Sequence, residues 1–280
     1  PVFPGAELLI NEYKGAFLNH KHSPYQNVMQ INYCLNGRMG WNLQNGDCIY
    51  LSTGDISIHM MNRCASSVMY FPSEYYLGIS ISLDFDAFDP PDTLKNMGFD
   101  LWTLKEKFCP QERTTVLPAT EHLKTFFSML DTIPEPCQLC YFQIKLQELL
   151  LFLFTHDTTD LCAEKCSLEN IQTIHQVHKK LISNLKERPT IESLAKDFLI
   201  NTSTLKKVFK AVYGQPIAQY MKDYRMHYAA NLLCKTEQSV KEISEQVGYG
   251  NPSKFANAFR EVMQITPLEY RSRYKMKNLM

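Results

Sequence analysis

Apolar residues recur along the chain with two different periods, and the change of period divides it. Over residues 1–85, short apolar runs alternate with Gly, Asn and Asp turns, which is the pattern of a β-rich domain. Residues 29–35 end at Asn36-Gly37, residues 39–43 at Gln44–Asp47 and residues 48–51 at Thr53-Gly54-Asp55, and 76–83 form a further run. Asn-Gly between runs of period two predicts a hairpin. Strands this closely spaced predict a small barrel or jelly roll. Residues 86–118 are polar and broken by Pro90-Pro91 and Pro110, so a loop with short turns is expected. The period then becomes helical over 121–133 and 138–156. The second of these helices carries Leu139, Phe142, Leu146, Leu149, Leu150 and Leu153 at 3/4 spacing, a stripe too apolar for a solvent-facing helix. Packing within the domain and a dimer face are equally good explanations of it.

Beyond 168 the pattern is helical throughout. A first helix over 168–186 turns Ile171, Ile174, Val177, His178, Leu181, Ile182 and Leu185 inward, and Arg188-Pro189-Thr190 ends it. Two copies of one design follow, at 191–210 and 240–260. Superimposed, Leu194 falls on Ile243, Leu205 on Phe255 and Phe209 on Phe259, with one residue of slippage in the turn. Each copy is a short helix, a polar turn and a capped second helix bearing basic residues. That is how a helix–turn–helix presents a row of side chains to a DNA major groove. A long helix over 215–234, with Pro216 near its first turn, joins them and fixes their separation. Gly214 and Gly248 fall at helix ends, where a positive φ is easiest for glycine. Arg225 and Asp223 are assigned to structure rather than to DNA reading.

Charge sharpens the division. The chain has no net charge, yet residues 168–280 hold 18 Lys/Arg against 10 Asp/Glu, while 1–167 hold 11 against 19. A half at +8 suits a phosphate backbone; a half at −8 would be repelled by it. With 280 residues and 45% hydrophobic content, two globular domains are expected, and no apolar run is long enough to span a bilayer. The first residues show no basic stretch followed by an apolar one, so no secretory signal is expected. Nine scattered cysteines do not form a disulfide framework, and reduced thiols in a cytoplasmic protein are the better reading. Cys137-x2-Cys140 with Cys162-x3-Cys166 has the spacing of a four-thiolate zinc site or a redox pair, but such spacing also arises by chance on helix faces.

Leu194-Ala195, Leu205-x3-Phe209-Lys210, Gly214-x-Pro216, Tyr220, Arg225, Ala229-x3-Leu233, Val240-x2-Ile243, Val247-Gly248-Tyr249, Phe255-x3-Phe259-Arg260 and Thr266-Pro267-x2-Tyr270-Arg271 together resemble the signature of AraC/XylS-type bacterial transcription regulators. The likeness runs through about a hundred residues. The order His20-x-His22, Tyr33-Cys34-Leu35-x-Gly37-Arg38 and Leu51-x2-Gly54-Asp55 resembles the cupin-type sensor domain found upstream of many such regions. The resemblance implies an α+β chain of two domains. Residues 1–156 would be a cupin-like barrel followed by helices, for effector sensing and dimerisation; 157–167 would be a linker. Residues 168–280 would be an all-α domain with two helix–turn–helix motifs.

The resemblance places DNA readers on recognition helices near 202–212 and 252–262. The outward residues there are Asn201, Thr202, Ser203, Lys206, Lys207 and Lys210, then Asn251, Ser253, Lys254, Asn257 and Arg260. Lys donors suit guanine or phosphate, and Asn257 suits adenine. The sensor candidates are His20, His22, Tyr33, Arg38 and Trp41. The partners implied are double-stranded DNA, RNA polymerase, a small-molecule effector and a second copy of the chain, with no membrane. No cofactor and no metal is expected, and the chain is read as a regulator, not an enzyme. The alternative is a metal-dependent cupin-type enzyme fused to a DNA-binding domain. It would need three or four ligands, and beside His20 and His22 the place of the acidic residue is taken by Gln26, with His59 at a loose spacing.

Overall fold

The computed structural model describes the chain except residues 22–24, 26, 43–46, 64–65, 158–165 and 276–280. It divides into two compact units, Pro1–Leu168 and Glu169–Met280. The linker expected at 157–167 lies mostly outside the described residues.

The first unit is built on strands β1 (Ala6–Lys14), β2 (Phe17–Lys21), β3 (Val28–Asn42), β4 (Asp47–Ser52), β5 (Ile56–Met60), β6 (Ser66–Tyr70), β7 (Tyr75–Asp84), β8 (Thr115–Leu117) and β9 (Cys166–Ser167). All described pairings are antiparallel. The long strand β3 serves two layers. Its first part lies between β5 and β7 in the order β1-β7-β3-β5-β8, and its end lies between β4 and β6 in the order β2-β6-β3-β4-β9. Among the described residues no pairing closes this arrangement into a barrel, so the barrel expected from strand spacing is instead an open sheet folded about β3. The hairpin expected at Asn36-Gly37 is absent too. β3 runs through it with a bulge at Cys34/Asn36, where the strand passes from one layer to the other. Gly37 is needed there: its φ is +84°, and a Cβ would sit 2.3 Å from the carbonyl oxygen of Tyr75.

Alternation gives the first layer two faces. Met29, Ile31, Tyr33, Ile56, Ile58, Ile79, Ile81 and Leu83 turn to one side and join the main core with α1 (Asp92–Lys95), α2 (Leu101–Phe108), α3 (Glu121–Lys124) and α4 (Gln138–Thr155). Helix α2 falls inside the stretch expected to be loop. Leu101, Leu104 and Phe108 are its buried face, and Asp100 caps it by accepting from Thr103 N. Conversely, the helix expected over 121–133 stops at Lys124, after which Phe126 and Phe127 turn consecutively into the core. On α4, Leu146, Leu149, Leu150 and Leu153 are fully buried, while Leu139 and Ile144 are 52% and 63% exposed. The four leucines are therefore core, which removes them as a dimer face; Leu139 stays outside and Phe142 is half-buried against the core.

The second unit is helical: α5 (Leu168–Ser183), α6 (Ile191–Asp197), α7 (Thr202–Tyr213), α8 (Ile217–Lys235), α9 (Val240–Gln246), α10 (Pro252–Met263) and α11 (Pro267–Lys275). Helix α8, about 28 Å long at 1.5 Å per residue, serves both halves. Its Ile217 and Met221 are buried near the first motif, while Met226, Ala229, Ala230 and Leu233 are buried with Ile243, Val247, Phe255 and Phe259 of the second. No described helix is long and apolar enough to cross a membrane.

Candidate functional site

The two helix–turn–helix copies correspond down to single hydrogen bonds. Thr190 caps α6 by accepting from Ser193 N, and Ser239 caps α9 in a reciprocal box with Glu242. In the first turn, Phe198 N donates to Leu194 O, Leu199 N to Lys196 O and Ile200 N to Ala195 O. In the second, Val247 N donates to Ile243 O, Gly248 N to Glu245 O and Tyr249 N to Ser244 O. Leu199 and Gly248 hold the same left-handed position, at φ 53° and 79°. Asn201 then caps α7, accepting from Thr204 N at 2.7 Å, and Asn251 caps α10, accepting from Ser253 N and Lys254 N. Gly250 is the extra residue in the second turn.

The repeat continues past the recognition helices. Gly214 and Gln264 end α7 and α10 in left-handed caps that donate to Lys210 O and Arg260 O. Phe209 meets Tyr220 edge-on with ring centres 5.5 Å apart, and Phe259 meets Tyr270 in the same way at 5.5 Å. Arg225 is buried and donates to the carbonyls of Leu185 and Glu187 ahead of α6; Arg271 donates to those of Leu233 and Gln238 ahead of α9. Arg225 is thus structural. Sequence pattern missed the brace beside it, where the Arg188 guanidinium lies 4.3 Å from the centre of the Tyr249 ring. No periodicity marks such a contact between a loop and a turn.

On α7, Leu205, Val208, Phe209 and Val212 are buried; Ser203, Lys206, Lys207 and Lys210 are exposed along one face, and Thr202 is half-buried. On α10, Phe255 and Phe259 are buried, and Ser253, Lys254, Asn257 and Arg260 are exposed. The structure therefore brings the nominated residues onto two helix faces of equal construction. Asn201 and Asn251 already serve as caps, each side-chain oxygen being engaged by its own helix, and Ser203 Oγ also donates to Asn201. The lysines and Arg260 give each helix a cationic outer face, as a phosphate backbone requires.

Behind α7 lies a cluster the sequence left unread. His178 stacks on Tyr213 at 4.4 Å, and its Nε2 is 2.9 Å from the Tyr220 hydroxyl. Burial, followed by neighbouring His175, pulls its pKa from 6.5 down to about 4.

In the first unit, the other face of the β1-β7-β3 layer lines a cavity of about 510 Å³, a size within the range of small-molecule sites. Its wall includes Asn11, Gln30, Asn32, Trp41, His59, Tyr76 and Ser80. Of the sensor candidates, Trp41 is in this wall. Tyr33 turns to the opposite face, packs on Phe127 and donates to Leu123 O at 2.5 Å. Arg38 bonds Ser52 Oγ across β3 and β4 and lies over Tyr50. Neither lines the cavity. His22 and the side chain of His20 lie outside the described residues, as does Cys162 of the proposed thiol set. Cys137 and Cys140 are exposed and Cys166 is buried.

Residues 194–273 match the helix-turn-helix domain family. The C-terminal unit carries a helix–turn–helix domain of the AraC/XylS type. Among curated proteins, the chain is 33% identical over 98 residues to the uncharacterized HTH-type transcriptional regulator YtdP of Bacillus subtilis, covering 35% of this chain and 12% of that protein. It is 34% identical over 96 residues to the lactose operon transcription activator of Staphylococcus xylosus, covering 34% of each. The chain thus spans about a third or less of the length of these relatives. Among solved structures, the C-terminal domain of the two-component response regulator yesN of Fusobacterium nucleatum is 31% identical. That likeness covers 36% of this chain and 96% of that one, with a TM-score of 0.33.

Proposed function

We propose that the whole chain is a sequence-specific, DNA-binding transcription regulator that responds to a small molecule. The observation that carries this is the duplicated motif: two capped recognition helices, each with a buried apolar face and an exposed cationic one, mounted on the single helix α8. One reader binds only a few base pairs. Two readers at fixed separation can enter successive major grooves about one DNA turn apart, roughly 34 Å. Ser203, Lys206 and Lys207 would read bases from α7. Asn257 would read adenine from α10, with Lys210, Lys254 and Arg260 on phosphates.

The proposed sign is activation through RNA polymerase. The likeness to an activator of a lactose operon supports this. The acidic first unit would hold the effector in its cavity and shift the chain between DNA-competent and incompetent states. A dimer would contact through the outer face of α4, where Leu139, Ile144 and Leu151 are exposed. The setting proposed is the bacterial cytoplasm.

Selection of binding sites from random duplex by the full chain tests the proposal. A recovered site should contain two short conserved blocks about one turn apart. Lys206→Ala and Lys207→Ala should relax one block, and Asn257→Ala the other. Recovery of no consensus contradicts it.

A further inference from the structure

The two helix–turn–helix copies share one design but not one setting. In the first, the turn faces solvent: Leu199 holds its left-handed position 95% exposed. In the second, the same backbone position is pressed onto the loop that precedes the first copy. A Cβ on Gly248 would lie 2.4 Å from Leu185 O and 3.2 Å from Lys186 O, so only glycine lets the two backbones come this close. The turn itself does not require the approach, since the first copy makes the matching hydrogen bonds with a leucine there.

The loop over 184–190 is held from several sides. Arg225, buried midway along α8, donates from Nε to Leu185 O at 3.3 Å and from Nη2 to Glu187 O at 3.0 Å. Thr190, at the end of the loop, caps α6. Arg188 reaches the other way, its guanidinium 4.3 Å from the centre of the Tyr249 ring. That ring meets Phe255 edge-on at 5.9 Å, and Phe255 is the fully buried anchor in the first turn of α10. A path of contacts therefore runs from α6 through Arg188, Tyr249 and Phe255 to the second recognition helix, beside α8 rather than along it.

The consequence is mechanical. Joined through α8 alone, α9 and α10 could rock on the apolar cluster they share with that helix. A second attachment away from the cluster removes this freedom. DNA makes small displacements matter: one added base pair moves a block of bases by about 3.4 Å and turns it by roughly 35° about the duplex axis. We infer that Arg188 is a positioning residue, whose contact with Tyr249 locks the two recognition helices at one separation and so sets the spacing between the two blocks of bases the chain accepts. This rests on the DNA-binding reading above.

The test is a series of duplexes in which the two blocks of a selected site are kept and their spacing is changed by −1, +1 or +2 base pairs, beside a duplex with one block alone. Competition anisotropy with the full chain reads each. The parent should prefer its own spacing over its neighbours by at least tenfold. Arg188 is exposed, so Arg188→Gln leaves the folded core in place, as circular dichroism checks. It should reduce the preference to less than about threefold, with the one-block affinity and the salt slope as in the parent. Tyr249→Leu, which removes no charge, should do the same, and the double variant should add nothing further; Tyr249→Phe keeps the ring face and should keep the preference. An Arg188→Gln chain that retains tenfold preference would overturn the inference. So would a loss equal at every spacing with a smaller salt slope, which would make Arg188 a phosphate contact. If the parent binds its site specifically but accepts every spacing alike, the inference fails and the DNA-binding reading stands. If it prefers no sequence, both fall.

Discussion

Gly248 is where the second helix–turn–helix meets the rest of its unit, and Gly248→Ala should destabilise that unit. A Cβ at this position would lie 2.4 Å from the carbonyl oxygen of Leu185 and 3.2 Å from that of Lys186, on a backbone with φ +79°. The left-handed conformation costs an L-residue roughly 1–2 kcal/mol, and forcing the turn away from a backbone oxygen costs roughly 1–3 kcal/mol as overpacking. Together the substitution should cost about 2–5 kcal/mol. The displacement would also disturb the carbonyl that Arg225 Nε donates to at 3.3 Å and the Arg188–Tyr249 contact. Urea unfolding of the full chain, followed by helical circular dichroism, reads the effect. With a slope of roughly 1–3 kcal/mol per molar urea, the helical transition should move down by about 1 M or more. The reasoning fails if the midpoint stays within about 0.2 M of the parent, since the turn would then not be seated against residues 185–186.

Leu199 occupies the same backbone position in the first turn but is 95% exposed, so Leu199→Gly should raise the midpoint by an equivalent of about 0.5–1 kcal/mol, read in the same assay. Loss of stability there would show that the side chain has a contact the turn depends on. His178 gives a pH signature. Its folded pKa is held at about 4 against 6.5, so the unfolded chain takes up the proton first; its contribution is complete above about pH 6.5 and lost as pH falls toward 4. Thermal melts of His178→Phe should therefore lose less between those values than the parent does, and parallel curves would contradict the assignment. Leu149→Ala should cost about 2–5 kcal/mol in the first unit by opening a hole in its core, without changing oligomeric state by light scattering. Loss of a dimer with stability intact would return that residue to an interface.

The second unit was legible because each of its helices is short, capped and one-sided. Thr190, Asn201, Ser239 and Asn251 sit where caps are needed, and the apolar spacing of Leu205, Val208 and Phe209 fixes the buried face locally. The first unit was less so, for physical reasons. Asn36-Gly37 has the composition of a hairpin turn and of a bulge alike, and only the partners of β3 on its two sides decide between them. The stripe on α4 reads equally as core and interface, because both bury leucine; the sheet face that covers it is distant in sequence. Trp41 lines the cavity while Tyr33 does not. Both are nearly fully buried, but the bulge between them resets the alternation, and sequence parity across it carries no information.

The central claim is that the exposed faces of α7 and α10 bind DNA in a sequence-specific way. Fluorescence anisotropy on duplex from upstream of the chain's own operon, across a range of salt concentrations, tests it most directly. The account predicts binding that weakens steeply with salt and exceeds random duplex by about a thousandfold or more. Lys210→Ala should reduce the salt slope by about one. Equal affinity for random duplex, together with a salt slope that Lys206→Ala, Lys210→Ala and Arg260→Ala leave unchanged, would contradict it.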